Sequence, residues 1–239
     1  PKIFLWLLRW LLFRLMFLSG VVKLTSGDPT WRNLDALSFH YETQPLPTWL
    51  GWHADQLPDW FHQSSAVMMF AIELAVPFLI FLPRRLRFLA ALAFVALELL
   101  IAATGNYGFF NWLTILLCLL LLDDSMIQRW LPKKFVLKFP SRVVVPATAA
   151  FKFRLGLAAI FAAMVAVVTF IQISSAFRVQ RQWPKPVASI YQWMSPLRSV
   201  NAYGLFSVMT TSRPEIIVEG SNDGVRWQAY EFRYKPGDV

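Results

Sequence analysis

Arg14, Glu73 and Glu98 are ionisable side chains set inside long apolar runs, where charge is expensive and normally faces protein or water. Groups of this kind hold helices together as a buried ion pair, relay protons, or line a pocket for a polar ligand. Counting ~1.5 Å per residue from the basic end of each run puts Arg14 at roughly 17 Å, Glu73 at roughly 14 Å and Glu98 at roughly 18 Å, near the middle of a ~30 Å hydrocarbon core. This shared depth predicts an intramembrane polar network in which Arg14 pairs with Glu73 or Glu98 and knots three helices together. Arg9 lies nearer the surface and can extend its guanidinium to the headgroups. Pro77 lacks the N–H that would bond the carbonyl of Glu73, so the helix is expected to kink there.

A second set of candidate groups, His40, His53 and His62, shares one segment with Glu42, Asp55 and Asp59. No pair has the close helical spacing of a zinc motif such as His-Glu-x-x-His, so no metal is expected. There is also no Gly-x-Ser-x-Gly elbow, Walker loop or dinucleotide fingerprint. The chain therefore does not read as an enzyme, and no cofactor is expected. Its one cysteine, Cys118, lies within an apolar run, which excludes an intrachain disulfide and a chaperone working through a cysteine pair.

Positioning these groups falls to membrane helices. Of 239 residues, 56% are hydrophobic and 15% charged, against about 25% charged in soluble domains. Five apolar runs, Ile3 to Val22, Ser64 to Leu82, Leu86 to Ala103, Phe109 to Leu122 and Leu155 to Ile173, predict an α-helical multipass membrane protein with five transmembrane helices. The fourth run is short for a span of about 20 residues. Arg9 and Arg14 interrupt the first, which argues against a removable signal peptide. A net charge of +9 comes without zinc-finger spacing, an RNP-like string or a dense basic helix, so nucleic acid is not an expected partner. Membrane lipid is.

Basic residues concentrate in Arg84 to Arg87 and in Asp123 to Arg154, which predicts that both segments are cytoplasmic. Residues 1–173 then form the transmembrane domain, with an outer loop at 24–63 and a cytoplasmic loop at 123–154. Residues 174–239 form an extracytoplasmic, β-rich region. In the outer loop, Asp28-Pro29 reads as an N-cap and first helical residue, and Trp49, Trp52 and Trp60 suit the headgroup layer. Ala158, Ala162 and Ala166 recur four apart in the last span, a seam that allows close helix contact. In the tail, Val187, Ile190, Tyr191, Met194 and Leu197 mark one face of a short helix. Ile216 with Val218, and Tyr230 with Phe232 and Tyr234, alternate as half-buried strands around the hairpin signal Ser221-Asn222-Asp223-Gly224.

Several strings in register carry a resemblance. They are Phe13-Arg14-Leu15-Met16-Phe17, Lys23 with Gly27-Asp28-Pro29-Thr30-Trp31, His40-Tyr41-Glu42-Thr43-Gln44-Pro45-Leu46-Pro47, Gly105-Asn106-Tyr107 with Phe110-Asn111 and Leu121-Leu122-Asp123-Asp124, and Tyr203-Gly204-Leu205-Phe206 leading to Tyr230-Glu231-Phe232. Together they resemble the lipase maturation factors. The resemblance implies a multipass membrane protein that helps secreted lipases fold and assemble. It would lie in the endoplasmic reticulum membrane in a eukaryote and in the inner membrane in a bacterium, and the alanine-rich helices and short loops suit a bacterial member. It also implies that this chain, which begins at Pro1, is the central part of a longer protein. On this reading Tyr41, Trp49, Trp52, Asn106, Tyr107 and Phe110 are candidate contacts for the secreted client. The alternatives are an intramembrane enzyme distantly related to vitamin K-dependent carboxylases, with Glu73 or Glu98 in acid-base roles, and a small-molecule or proton transporter. The oligomeric state is left open.

Overall fold

The computed structural model describes residues 2–44, 48–105, 107–123, 148–179, 181–202, 204, 206–214 and 216–230. Helix α1 (Lys2–Thr25) is followed by three short helices, α2 (Pro29–Asn33), α3 (Ala36–Thr43) and α4 (Trp49–Asp55). Next come α5 (Asp59–Leu74) with a 3-10 segment at Val76–Phe81, α6 (Arg84–Thr104), α7 (Phe109–Cys118) with a 3-10 turn at Leu119–Leu121, and α8 (Ala149–Ala176). The tail holds α9 (Lys185–Met194) and an antiparallel pair, β1 (Glu219–Gly220) with β2 (Gln228–Ala229).

Four segments are long and apolar enough to span a bilayer: Lys2–Thr25, Asp59–Phe81, Arg84–Thr104 and Phe151–Ala176. The protein is thus a multipass helical membrane protein. The fifth apolar helix is shorter. Ten α-helical residues and a three-residue 3-10 turn amount to about 20 Å, against a hydrocarbon core of about 30 Å.

Helix α1 is central because its two sides meet different partners. At about 100° per residue, Trp10, Arg14 and Thr25 fall within roughly 60° of one another, and each bonds α8: Trp10 to Thr169, Arg14 to Gln172 and Thr25 to the Ala176 carbonyl. Ser19 and Lys23 lie on the opposite side, towards α5 and α6. Gly20 lets α1 and α5 approach, since a Cβ there would meet Leu74 Cδ2 at 2.7 Å. Between membrane helices such close contact supplies dispersion energy that burial from lipid does not. Leu12, Phe94 and Leu121 fill the centre of the core, and Phe13, Phe17, Phe78 and Phe81 form an aromatic cluster beside it.

Pro77 acts as its missing donor requires: α5 stops at Leu74 and the chain continues as a 3-10 segment. At that end of the bundle the carbonyls that close α7 are met by cations. Arg9 donates to Leu120 O at 3.2 and 3.1 Å, and Arg87 donates to Leu121 O at 2.9 Å and to Asp123 at 2.6 Å. Arg84 pairs with Asp123 at 3.1 Å. These groups satisfy orphan carbonyls and complement the helix dipole. Arg9 therefore reaches a helix end, not a headgroup as its depth suggested.

Of the alanine seam, Ala158 is buried, Ala162 is half-buried and Ala166 is exposed, the last two lining a groove shared with Trp6 and Trp10 of α1. In the tail the hairpin turn forms at Ser221 to Gly224, where Gly224 has φ +71° and Asp223 accepts from the amides of Val225 and Arg226. Ile216 is 83% exposed, so its expected stripe with Val218 is not buried. Phe232 and Tyr234 lie outside the described residues, as do Asn106 and residues 124–147 of the basic segment from Asp123 to Arg154.

Candidate functional site

A cavity of about 330 Å3 opens between α1, α5, α6 and α7 beneath α2, α3 and part of the tail. Its polar end starts at the last turn of α1. Lys23 Nζ donates to both carboxylate oxygens of Glu73, at 2.6 and 2.8 Å, and both side chains are buried. On the wall formed by α6 and α7, Asn111 Nδ2 donates to Glu98 Oε2 at 2.8 Å. The Oδ1 atom of Asn111 is buried with no hydrogen-bond partner among the described residues. Apolar walls come from Leu15, Met16, Met69, Leu97 and Ile101.

This arrangement corrects the pairing expected for Arg14. Depth alone put Arg14 level with the two carboxylates, but the nine residues from Arg14 to Lys23 turn the helix by about 900°, placing the two side chains on opposite sides of α1. Lys23 therefore takes Glu73, and Glu98 takes Asn111. Arg14 faces α8 instead, donating to Gln172 Oε1 at 2.5 Å and to the carbonyl of Asn201. Lys23 was legible only within a matching string, because a lysine near a helix end usually reads as snorkelling.

The outer side of the cavity is closed by distant segments. Asp28 caps α2 by accepting from Thr30 N at 2.9 Å, and its second oxygen accepts from Met209 N at 2.6 Å. Desolvation raises the Asp28 pKa, but the hydrogen bonds from Met209 and Thr30 outweigh it and hold the carboxyl below its ordinary value. Trp31 Nε1 donates to Phe206 O at 2.9 Å, and the Trp31 ring lies against the Lys23 ammonium, 5.5 Å from centroid to nitrogen. Phe206 itself has φ +56°, a left-handed backbone that a phenylalanine adopts at a cost. Its ring meets His40 and Tyr107 edge-on at 5.4 and 5.2 Å. Phe206 and Met209 thus form a lid that no local pattern announced.

Below the lid, the Tyr107 hydroxyl and His40 Nε2 lie 2.9 Å apart. Desolvation, with a contribution from Lys23, pushes His40 down to about 4. Desolvation and the neighbouring Tyr41 push Tyr107 up to about 12. Both groups are neutral at physiological pH, which suits a poorly hydrated site.

The candidate client contacts divide. Trp49 and Trp52 are exposed on α4, Tyr41 is half-buried against His40 and His62, and Tyr107 and Phe110 line the cavity. The loop carrying the tryptophans is pinned to the end of α6: Gln44 donates to Thr104 O at 2.9 Å and Thr48 to Ala103 O at 2.7 Å. Gly51 permits this, since a Cβ there would come within 2.5 Å of Thr104 O. Among the described residues no cluster of three or more metal-ligating side chains occurs.

Sequence comparisons follow the same architecture. The lipase maturation factor transmembrane domain matches residues 1–129, and the lipase maturation factor C-terminal domain matches residues 199–239. Lipase maturation factor 2 of Xenopus laevis is 35% identical over 98% of this chain and 46% of its own length. The Gallus gallus protein of that name is 34% identical over 98% and 45%, and lipase maturation factor 1 of Mus musculus is 33% identical over 99% and 43%. The chain thus spans less than half the length of these relatives. No solved structure matches it. The transmembrane match covers both walls of the cavity and the C-terminal match covers its lid, and on these matches the chain belongs to the lipase maturation factor family.

Proposed function

We propose that this chain is the membrane-embedded part of a maturation factor that holds partly folded secreted lipases until they assemble. The observation that carries the reading is a set of exposed tryptophans, Trp49 and Trp52 on a loop fastened to the end of α6 and Trp60 at the start of α5, 74%, 44% and 66% exposed. Rigid aromatic groups cover apolar client surface at low entropic cost, and the names of the relatives supply the client class. Tyr41, Tyr107 and Phe110 remain candidate contacts, as does Asn106, which rests on the sequence alone. The same reading puts the loop at 24–63 and residues 174–239 on the side where exported proteins fold, with the segment at 123–154 in the cytoplasm. That side is the lumen of the endoplasmic reticulum in a eukaryote, or the periplasmic face of the inner membrane in a bacterium.

Co-expression of a secreted lipase with wild-type protein and with a Trp49→Ala, Trp52→Ala double variant tests the proposal. Both must reach the membrane at equal levels. Lipase activity per molecule secreted should fall with the double variant towards the level seen without the factor. Unchanged specific activity on deleting the factor altogether would overturn the reading for that client.

A further inference from the structure

We propose that the cavity between α1, α5, α6 and α7 binds a neutral lipid alcohol, a single apolar chain whose hydroxyl donates to Asn111 Oδ1. The volume, about 330 Å3, lies within the range of small-ligand sites. Most of the wall is apolar, so a chain is favoured over a compact polar solute. The chemistry of the head is set by what the polar end has left over. Lys23 is fully engaged between the two oxygens of Glu73 and the face of Trp31. An anionic head would find no uncommitted cation among the described residues of the wall and would sit beside Glu73 and Glu98. Asn111 already spends its Nδ2 on Glu98, leaving an acceptor, and a buried acceptor calls for a donor. A hydroxyl supplies that donor without bringing a charge into the site.

Access comes from the bilayer side. Phe109 belongs to the cavity wall yet is 77% exposed, so its ring stands at the boundary between the pocket and the apolar surround. On the outer side Phe206 and Met209 close the cavity, held by Trp31 and Asp28. An amphiphile can thus enter laterally with its hydroxyl leading, beneath Phe206 and Met209. The site stands independently of whether the client is a lipase.

The test uses the full chain in phosphatidylcholine nanodiscs with four diazirine-bearing probes of one chain length: an alcohol, its methyl ether, the carboxylic acid and the primary amine. After photolysis, labelled peptides are identified by mass spectrometry. The alcohol should label peptides containing Leu97 to Ile101 and Phe109 to Asn111 about five- to tenfold more than the ether, the ratio expected for one satisfied buried acceptor. Unlabelled alcohol should compete this away but leave labelling at lipid-facing Ile160 and Phe161 unchanged. Asn111→Leu should bring the alcohol down to the ether level. Because that change also takes a donor from Glu98, Met69→Trp, which fills the cavity and leaves the polar groups intact, should abolish alcohol labelling too. Equal labelling by alcohol and ether, failure of competition, or stronger labelling by the acid or the amine would overturn the proposal.

Discussion

Lys23 and Glu73 are each buried, and each is the other's counter-charge, so removing one strands the other. Lys23→Met should destabilise the folded protein by about 3–5 kcal/mol, while the double change Lys23→Met, Glu73→Leu should recover most of that loss. Thermal unfolding of the purified variants in one detergent checks both values. His40 gives a pH signature. Its folded value of about 4 lies below an unfolded value of about 6.5, so between them the unfolded chain binds more protons. Stability is therefore complete above about pH 6.5, falls as the pH drops towards 4, and levels off below. A gap of about 2.5 units bounds the effect near 3 kcal/mol. His40→Gln should flatten that part of the curve, and parallel wild-type and variant slopes would contradict the assignment. The two carboxylates were legible as unusual from their apolar surroundings alone. Their partners were not, because depth is read by counting residues whereas the facing side depends on helix phase.

The lid is an element assembled from both ends of the chain, with 181 residues separating Asp28 from Met209. The N-cap at Asp28 was readable from Asp-Pro followed by apolar residues at helical spacing. Its second oxygen's partner was not, since nothing local in Ser207-Val208-Met209 marks an amide destined for a carboxylate. Asp28→Ala should cost about 1–2 kcal/mol through the cap and, in addition, speed hydrogen exchange at 206–210 while leaving α6 protected. Uniform exchange across both regions would mean that the segment is not held as a lid. Arg14 and Gln172 brace the approach to the lid, binding the carbonyls of Asn201 and Val200. Arg14→Met is accordingly expected to raise proteolytic cleavage near 198–202 before it lowers the yield of folded protein.

At the scale of the whole molecule, the proposed orientation can be read by labelling single cysteines in a Cys118→Ala background. A cysteine at Ser221 should react from the outer or lumenal side, and one at Ser141 only after the cytoplasmic side is opened; the reverse pattern would invert the topology. Apolar run length made the membrane helices legible, since hydrocarbon thickness leaves little freedom in span length. It did not show that α7 would be joined to α6 at both ends, by Asn111 on Glu98 and by Asp123 on Arg87. About 20 Å of helix is a weak candidate to leave the translocon alone. α6 and α7 should therefore insert as one hairpin during synthesis, and a nascent chain halted before Asp123 should leave α7 at the translocon mouth, within reach of a glycosylation tag, until the arginine clasp closes.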